Sequence, residues 1–154
     1  MSDKTPTAPF SPPQAALAAL SIAHQISAAN ASNASNTDAL NGFIANQAAF
    51  AGLDNIAQAQ EMARDIAQEI TDAPDGFDTL LNLLSAALRG NAAATVYSLC
   101  ADFIALHGRV SPEEMRFLER LGDALGIDRL SRAAFDRAAQ ARAMPLSAAG
   151  YPNG

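Results

Sequence analysis

The sequence is poor in the residues that cross-link, pleat or strongly charge a chain. It has one cysteine, Cys100, so no intramolecular disulfide can form and a cysteine-based zinc site is excluded. Lysine occurs once, at Lys4, and the formal net charge is −6. That balance argues against a nucleic-acid partner, because neutralising phosphates needs a basic surface. Valine appears only at Val96 and Val110, although strands favour β-branched and aromatic side chains. The stretch 13–29 carries no formal charge apart from His24, but it is mostly alanine, interrupted by Gln14, Ser21, Gln25 and Ser27. A membrane span needs roughly 20 predominantly apolar residues, so this stretch reads as a soluble helix and no membrane span is expected. The first ten residues lack a basic region followed by a dense apolar run, and a cytoplasmic location is the default expectation. Enzyme signatures are missing too: there is no P-loop, no G-x-G-x-x-G after a strand, no H-E-x-x-H and no G-x-S-x-G.

What is present is alanine, nearly a quarter of the chain, with apolar residues at 49% and charged residues at 17%. Alanine is the best helix former. The 154 residues suit one domain, and a chain of this size buries roughly 70% of the surface its unfolded form exposes. These features predict an all-α, single-domain, compact helical bundle of about seven helices. A flexible N-terminal segment is expected over 1–10, the helical domain over 11–142 and a C-terminal tail over 143–154.

Ser11 before Pro12 and Pro13 is a good helix opening, and the first helix should run from about 12 to 29. An Asn/Ser-rich loop over 30–36 follows, where short polar side chains compete for backbone hydrogen bonds. A second helix is expected from about 37 to Phe50, and a third from about 54 to 70 with Ile56, Met62, Ile66 and Ile70 buried. The fourth is rich in leucine around its circumference (Leu80, Leu81, Leu83, Leu84, Leu88), which suggests the centre of the fold. Asn91 is placed to cap the fifth helix and Gly108 to end it. The strongest local signal is Ser111-Pro112-Glu113-Glu114, a capping box with proline at the first helical position. Met115, Leu118, Leu121 and Leu125 then form one face, and Gly126 stops the helix. Ser131 is expected to cap a seventh helix reaching about Arg142.

Few residues offer chemistry. Cys100 and His107 lie about two turns apart on one expected helix, ~10 Å by helix rise, too far for a nucleophile–base pair; a buried structural thiol is the better reading. Asp102, His107, Glu113 and Glu114 surround the turn over 106–111, and hard cations take oxygen ligands from such turns. The competing roles are structural: Glu114 as the capping partner of Ser111, and Glu113 as a first-turn acid favoured by the helix dipole. Arg109, Arg116, Arg120, Arg129, Arg132, Arg137 and Arg142 alternate with acids, the pattern of a solvated face with i,i+4 pairs.

The segment Ala105-Leu-His-Gly-Arg-Val-Ser-Pro-Glu-Glu-Met-Arg-Phe-Leu118 resembles the second motif of the tellurite-resistance TerB family, roughly A-x-D-G-x-hydrophobic-S-x-x-E-x-x-x-L. The stretches 76–84, 94–99, 125–128 and 139–142 are similar to bacterial TerB-like proteins as well. The resemblance covers about 15–142 and is specific over 76–142. It implies two related helical halves, each with an acidic motif at a helix–turn–helix junction, facing a shared concave surface suited to metal. Glu114 matches the motif glutamate, and His107 stands where the family has aspartate. Ser27-Ala-Ala-Asn30 matches the first-half S-A-A-D with asparagine for aspartate, and Asp38 is the nearest substitute for the first-half glutamate. The resemblance implies Asn30, Asp38, His107 and Glu114 as ligands; with Asp102 from the turn, these form the candidate set, and the implied cofactor is a divalent metal ion, calcium or zinc. Trading two carboxylates for an amide and an imidazole weakens a hard-cation site and shifts preference toward zinc, nickel or copper. The simpler account is a degenerate member that keeps the fold and has lost the metal. The resemblance thus implies a non-enzymatic binding or scaffold module in a metal or stress response. The alternative is a protein–protein interaction module whose alanine-rich apolar groove takes a partner helix, without metal.

Overall fold

Serine followed by proline starts two of the helices. The structure, a computed structural model, describes residues 10–30, 37–106 and 110–148. Its helices are α1 (Pro12–Asn30), α2 (Thr37–Ala45), α3 (Ile56–Thr71), α4 (Gly76–Ala87), α5 (Asn91–Ala105), α6 (Pro112–Ala124) and α7 (Arg129–Ala143), with short 3₁₀ turns at Ala48–Phe50 and Leu146–Ala148. At α6 the expected capping box is present with Pro112 inside the first turn. The same device opens α1: the Gln14 N–H donates to Ser11 Oγ at 3.3 Å, and the Ser11 N–H donates to Gln14 Oε1 at 2.9 Å. Each box satisfies two N–H groups that the first turn would otherwise leave unbonded. Gly126 stops α6 at φ +70°. The Ile127 N–H reaches back to the Gly122 carbonyl at 3.0 Å and the Gly126 N–H to the Asp123 carbonyl at 3.2 Å, a Schellman closure.

The centre of the bundle is α1, not the leucine-rich α4. Every residue from Ala15 to Ala23 is buried, and α1 packs against α3, α4, α5 and α6. A helix with no charged side chain can be covered on all sides, and alanine lets neighbouring backbones come close. The leucines of α4 divide instead: Leu80, Leu81 and Leu84 are buried, whereas Leu83 is only partly so. Helix α5 is the second central element, with Val96, Tyr97, Leu99, Cys100, Phe103 and Ile104 buried. It packs on α1, α6 and α7. Phe43 of α2 meets Phe103 edge-on, with ring centroids 5.4 Å apart.

Several local expectations need correction. Helix α2 ends at Ala45, because the Asn46 side chain takes the Gly42 carbonyl at 3.1 Å and the chain turns before the 3₁₀ segment. The buried face of α3 is Gln60, Ala63 and Ala67, with Ile56, Ile66 and Ile70 partly buried alongside. Met62 falls off this stripe and is 51% exposed. On α6, Phe117 takes the buried position and Met115 is 61% exposed. The N-cap of α5 is Gly90 rather than Asn91. The N-cap of α7 is Asp128, whose carboxyl accepts from the Ser131 N–H at 2.8 Å and the Ser131 hydroxyl at 2.9 Å. Those two donors hold the Asp128 carboxyl below its ordinary range. Phe10, expected in a loose segment, is buried in the core. Residues 1–9, Gly108 and the end of the tail lie outside the described residues.

The α1–α3 interface holds a buried polar pair in addition to the exposed Gln25–Gln68 hydrogen bond. Ser21 Oγ donates to the Leu17 carbonyl at 2.9 Å, and Gln60 Nε2 donates to Ser21 Oγ at 3.0 Å. Among the described residues Gln60 Oε1 is buried without a partner. Because the Ser21 proton is already used on Leu17, Ser21 does not need Gln60. Gln60→Met keeps the side-chain length and removes a buried acceptor whose desolvation is uncompensated. It should raise unfolding stability by about 1 kcal/mol; an unchanged or lower urea midpoint would count against this account.

Candidate functional site

The N-terminus of α6 carries a hydrogen bond that joins the two motif segments. The Glu114 N–H donates to Ser111 Oγ at 3.1 Å, and Glu114 Oε1 accepts from the Ser111 N–H at 2.8 Å. Its second oxygen, Oε2, accepts from the Ser27 hydroxyl at 2.5 Å, across 87 residues of sequence. Glu114 is 3% exposed. One carboxyl therefore caps α6 and fastens it to the last turns of α1. Capping alone was the structural role legible for Glu114; the bond to Ser27 is additional. Ser27 stands in the Ser27-Ala-Ala-Asn30 segment, so the motif carried a signal for it that residue chemistry did not.

Of the other candidate ligands, the side chain of Asp102 is described, and it pairs elsewhere. Asp102, on the last turn of α5, accepts from Arg142 of α7 at 2.6 and 3.1 Å. It lines a groove of about 510 Å³ with Ala39, Phe43, Leu106, Ala139 and Ala143. Glu113 is exposed in the first turn of α6, as its dipole role requires. The side chains of Asn30 and Asp38, and His107 altogether, lie outside the described residues. Among the described residues no three His, Cys, Asp or Glu side chains come together as a metal group. No helix among them is long and apolar enough to cross a membrane.

The arginines pair mainly between elements rather than at i,i+4. Arg120 of α6 pairs with Asp78 of α4 and lies over the Phe77 ring, 4.6 Å from its centroid. Arg132 of α7 donates through Nε to the Ile127 carbonyl at 2.6 Å and pairs with Asp123 at 2.8 Å. It packs over Gly122, where a Cβ would lie 2.5 Å from Arg132 Nε. The Arg132 contacts tie the start of α7 to the end of α6.

A second polar constellation was not singled out from the sequence. The buried Tyr97 of α5 donates its hydroxyl to Asp136 of α7, at 2.9 Å from Oδ1 and 3.2 Å from Oδ2. The pair lines a groove between α5, α6 and α7 of about 620 Å³. Burial pushes the Asp136 carboxyl above its ordinary range, opposed by the Tyr97 hydrogen bond and by Arg132. Burial, followed by the bond to Asp136, pushes the Tyr97 phenol well above its ordinary value. The two residues lie 39 positions apart, on helices whose pairing no local pattern announces. Cys100, also on α5, is fully buried and its thiol is pushed up by that burial, the environment of an inert structural cysteine.

The Tyr97 shift has a sign that can be tested. A phenol whose folded pKa exceeds its unfolded value contributes stability that is complete below about pH 10 and is lost as pH rises further. Tyr97 should therefore ionise only as the helices unfold. In an alkaline titration, the tyrosinate absorbance that Tyr97→Phe removes should rise together with the loss of helical circular dichroism. Ionisation of that phenol while the helical signal is intact would contradict the burial assigned to it.

Comparison with family models, curated proteins and solved structures finds no match to this chain.

Proposed function

We propose that the chain is a non-enzymatic, TerB-like helical module, a scaffold or binding unit associated with metal-ion and tellurite stress, whose acidic motif site is degenerate. The observation that carries this reading is the Ser27–Glu114 hydrogen bond. It links the residue that opens the first S-A-A-x segment to the motif glutamate of the second, the pairing of halves that the resemblance implies. The degeneracy is supported by where the carboxyls are spent. Glu114 serves Ser111 and Ser27 with both oxygens, and Asp102 serves Arg142. A cation at Glu114 would compete with two hydrogen bonds in a nearly closed site, and the neutral Asn30 in place of aspartate removes one of the charges that tune cation affinity.

Calorimetric titration of the full chain with calcium and with zinc tests the degenerate site. No saturable heat that depends on Glu114 is expected. A one-site isotherm abolished by Glu114→Gln would overturn the scaffold reading and make the junction a metal site. The stress association has its own test: deleting the coding gene in its source cell should raise sensitivity to tellurite. Unchanged tolerance to tellurite and to divalent metals would remove that part of the proposal.

A further inference from the structure

The groove between α5, α6 and α7 has the make-up of a small-molecule site. Its volume, about 620 Å³, falls within the range of roughly 300–1,000 Å³ typical of such pockets. Ala101, Ile104 and Leu118 supply a buried apolar lining. Ala133 of α7 is exposed among the lining residues.

Asp136 makes no direct ion pair among the described residues, although Arg129 and Arg132 line the same groove. Both of its oxygens accept from a single hydroxyl, that of Tyr97. One hydroxyl has one proton, whereas a carboxylate offers about four lone-pair positions. The cation whose field reaches it, Arg132, gives its directed bonds elsewhere, to the Ile127 carbonyl and to Asp123. A half-buried carboxylate costs free energy unless a cation compensates it, and burial already makes its ionisation harder.

We propose that this groove binds an organic ammonium, a primary alkylammonium whose head takes the open lone pairs of Asp136 while its hydrocarbon body lies on Ala101, Ile104 and Leu118. An ammonium carries three donors and no acceptor, so it can bond both carboxylate oxygens without displacing the Tyr97 hydroxyl. The apolar lining selects for a hydrocarbon body, which a hydrated inorganic cation lacks. This site is separate from the α1–α6 junction, so its failure would leave the reading of Glu114 untouched.

The test is a nitrogen–proton correlation titration of the full chain with n-hexylammonium chloride, n-hexanol and sodium hexanoate, which share a body and differ in charge. Saturable shifts at groove residues are expected with hexylammonium, with hexanol binding about tenfold more weakly and hexanoate not at all, as befits a hydrogen bond to a charged group. Asp136→Asn keeps an acceptor for Tyr97 and should weaken hexylammonium about tenfold. Ala133→Arg, an exposed substitution one turn before Asp136, supplies a competing guanidinium and should weaken it similarly; it keeps the test decisive if Asp136→Asn unfolds. The proposal is overturned if hexylammonium gives no saturable response, if hexanol or hexanoate binds equally well, or if a folded variant keeps the original affinity. A response to a lysine-bearing helical peptide alone, with none to the free amine, would also overturn it in favour of a protein partner.

Discussion

Gly76→Ala is expected to destabilise the protein by about 3 kcal/mol, at the upper end of the cost of overpacking. For a domain of this length that is a fall in melting temperature on the order of 10 °C. Helix propensity alone predicts the opposite sign, since alanine is favoured over glycine in a helix by about 0.5–1 kcal/mol. Gly76 opens α4 where that helix crosses the end of α3. An added Cβ would run into the Ile70 carbonyl oxygen and stand 2.6 Å from Thr71 Cα. Both obstacles are backbone, so no rotamer change relieves them. The Ile70 carbonyl is also held by the Ala73 N–H at 3.2 Å, so moving it breaks the turn that joins the helices. Gly42 is the internal control. It lies within α2 with open space where a Cβ would go, and Gly42→Ala should stabilise by about 0.5–1 kcal/mol. If urea unfolding gives the two substitutions the same sign, the close α3–α4 crossing is wrong.

Glu114→Ala should cost about 3 kcal/mol. The substitution removes the glutamate half of the capping box, worth about 1 kcal/mol. It also strips the buried Ser27 hydroxyl of its acceptor, which costs about 1–3 kcal/mol. Glu114→Gln, which keeps the shape and one good acceptor, should cost about 1 kcal/mol. A double-mutant cycle with Ser27→Ala separates the two roles. Capping is local to α6, so only the bond between helices couples the two sites. A coupling energy of about 1 kcal/mol is expected; strict additivity would mean that Ser27 and Glu114 do not share a proton in solution. The position that reads as a metal ligand thus acts as a fastener between the first and sixth helices.

The elements themselves were readable from local chemistry. Alanine content, the Ser111–Glu114 box and the Gly126 stop concern residues within a few positions of each other, and their hydrogen bonds close inside one turn. Errors arose where a local sign had two uses. Ser131 has the chemistry of an N-cap, yet Asp128, three residues earlier, has it too and takes the role. Met62 and Met115 look like core residues by type, but alanine and phenylalanine hold the buried positions beside them.

The sequence alone was enough for an all-helical bundle, the Gly126 stop and the capping role of Glu114, because those follow from propensity and from bonds that span three to five residues. Only the tertiary structure could decide that the alanine-rich α1 lies at the centre, that Ser27 meets Glu114, and that Tyr97 meets Asp136 beside a groove. Alanine marks no preferred face, so its burial depends on what surrounds the helix. Contacts spanning 87 and 39 residues are settled by how whole helices pack, which no periodicity within one helix encodes.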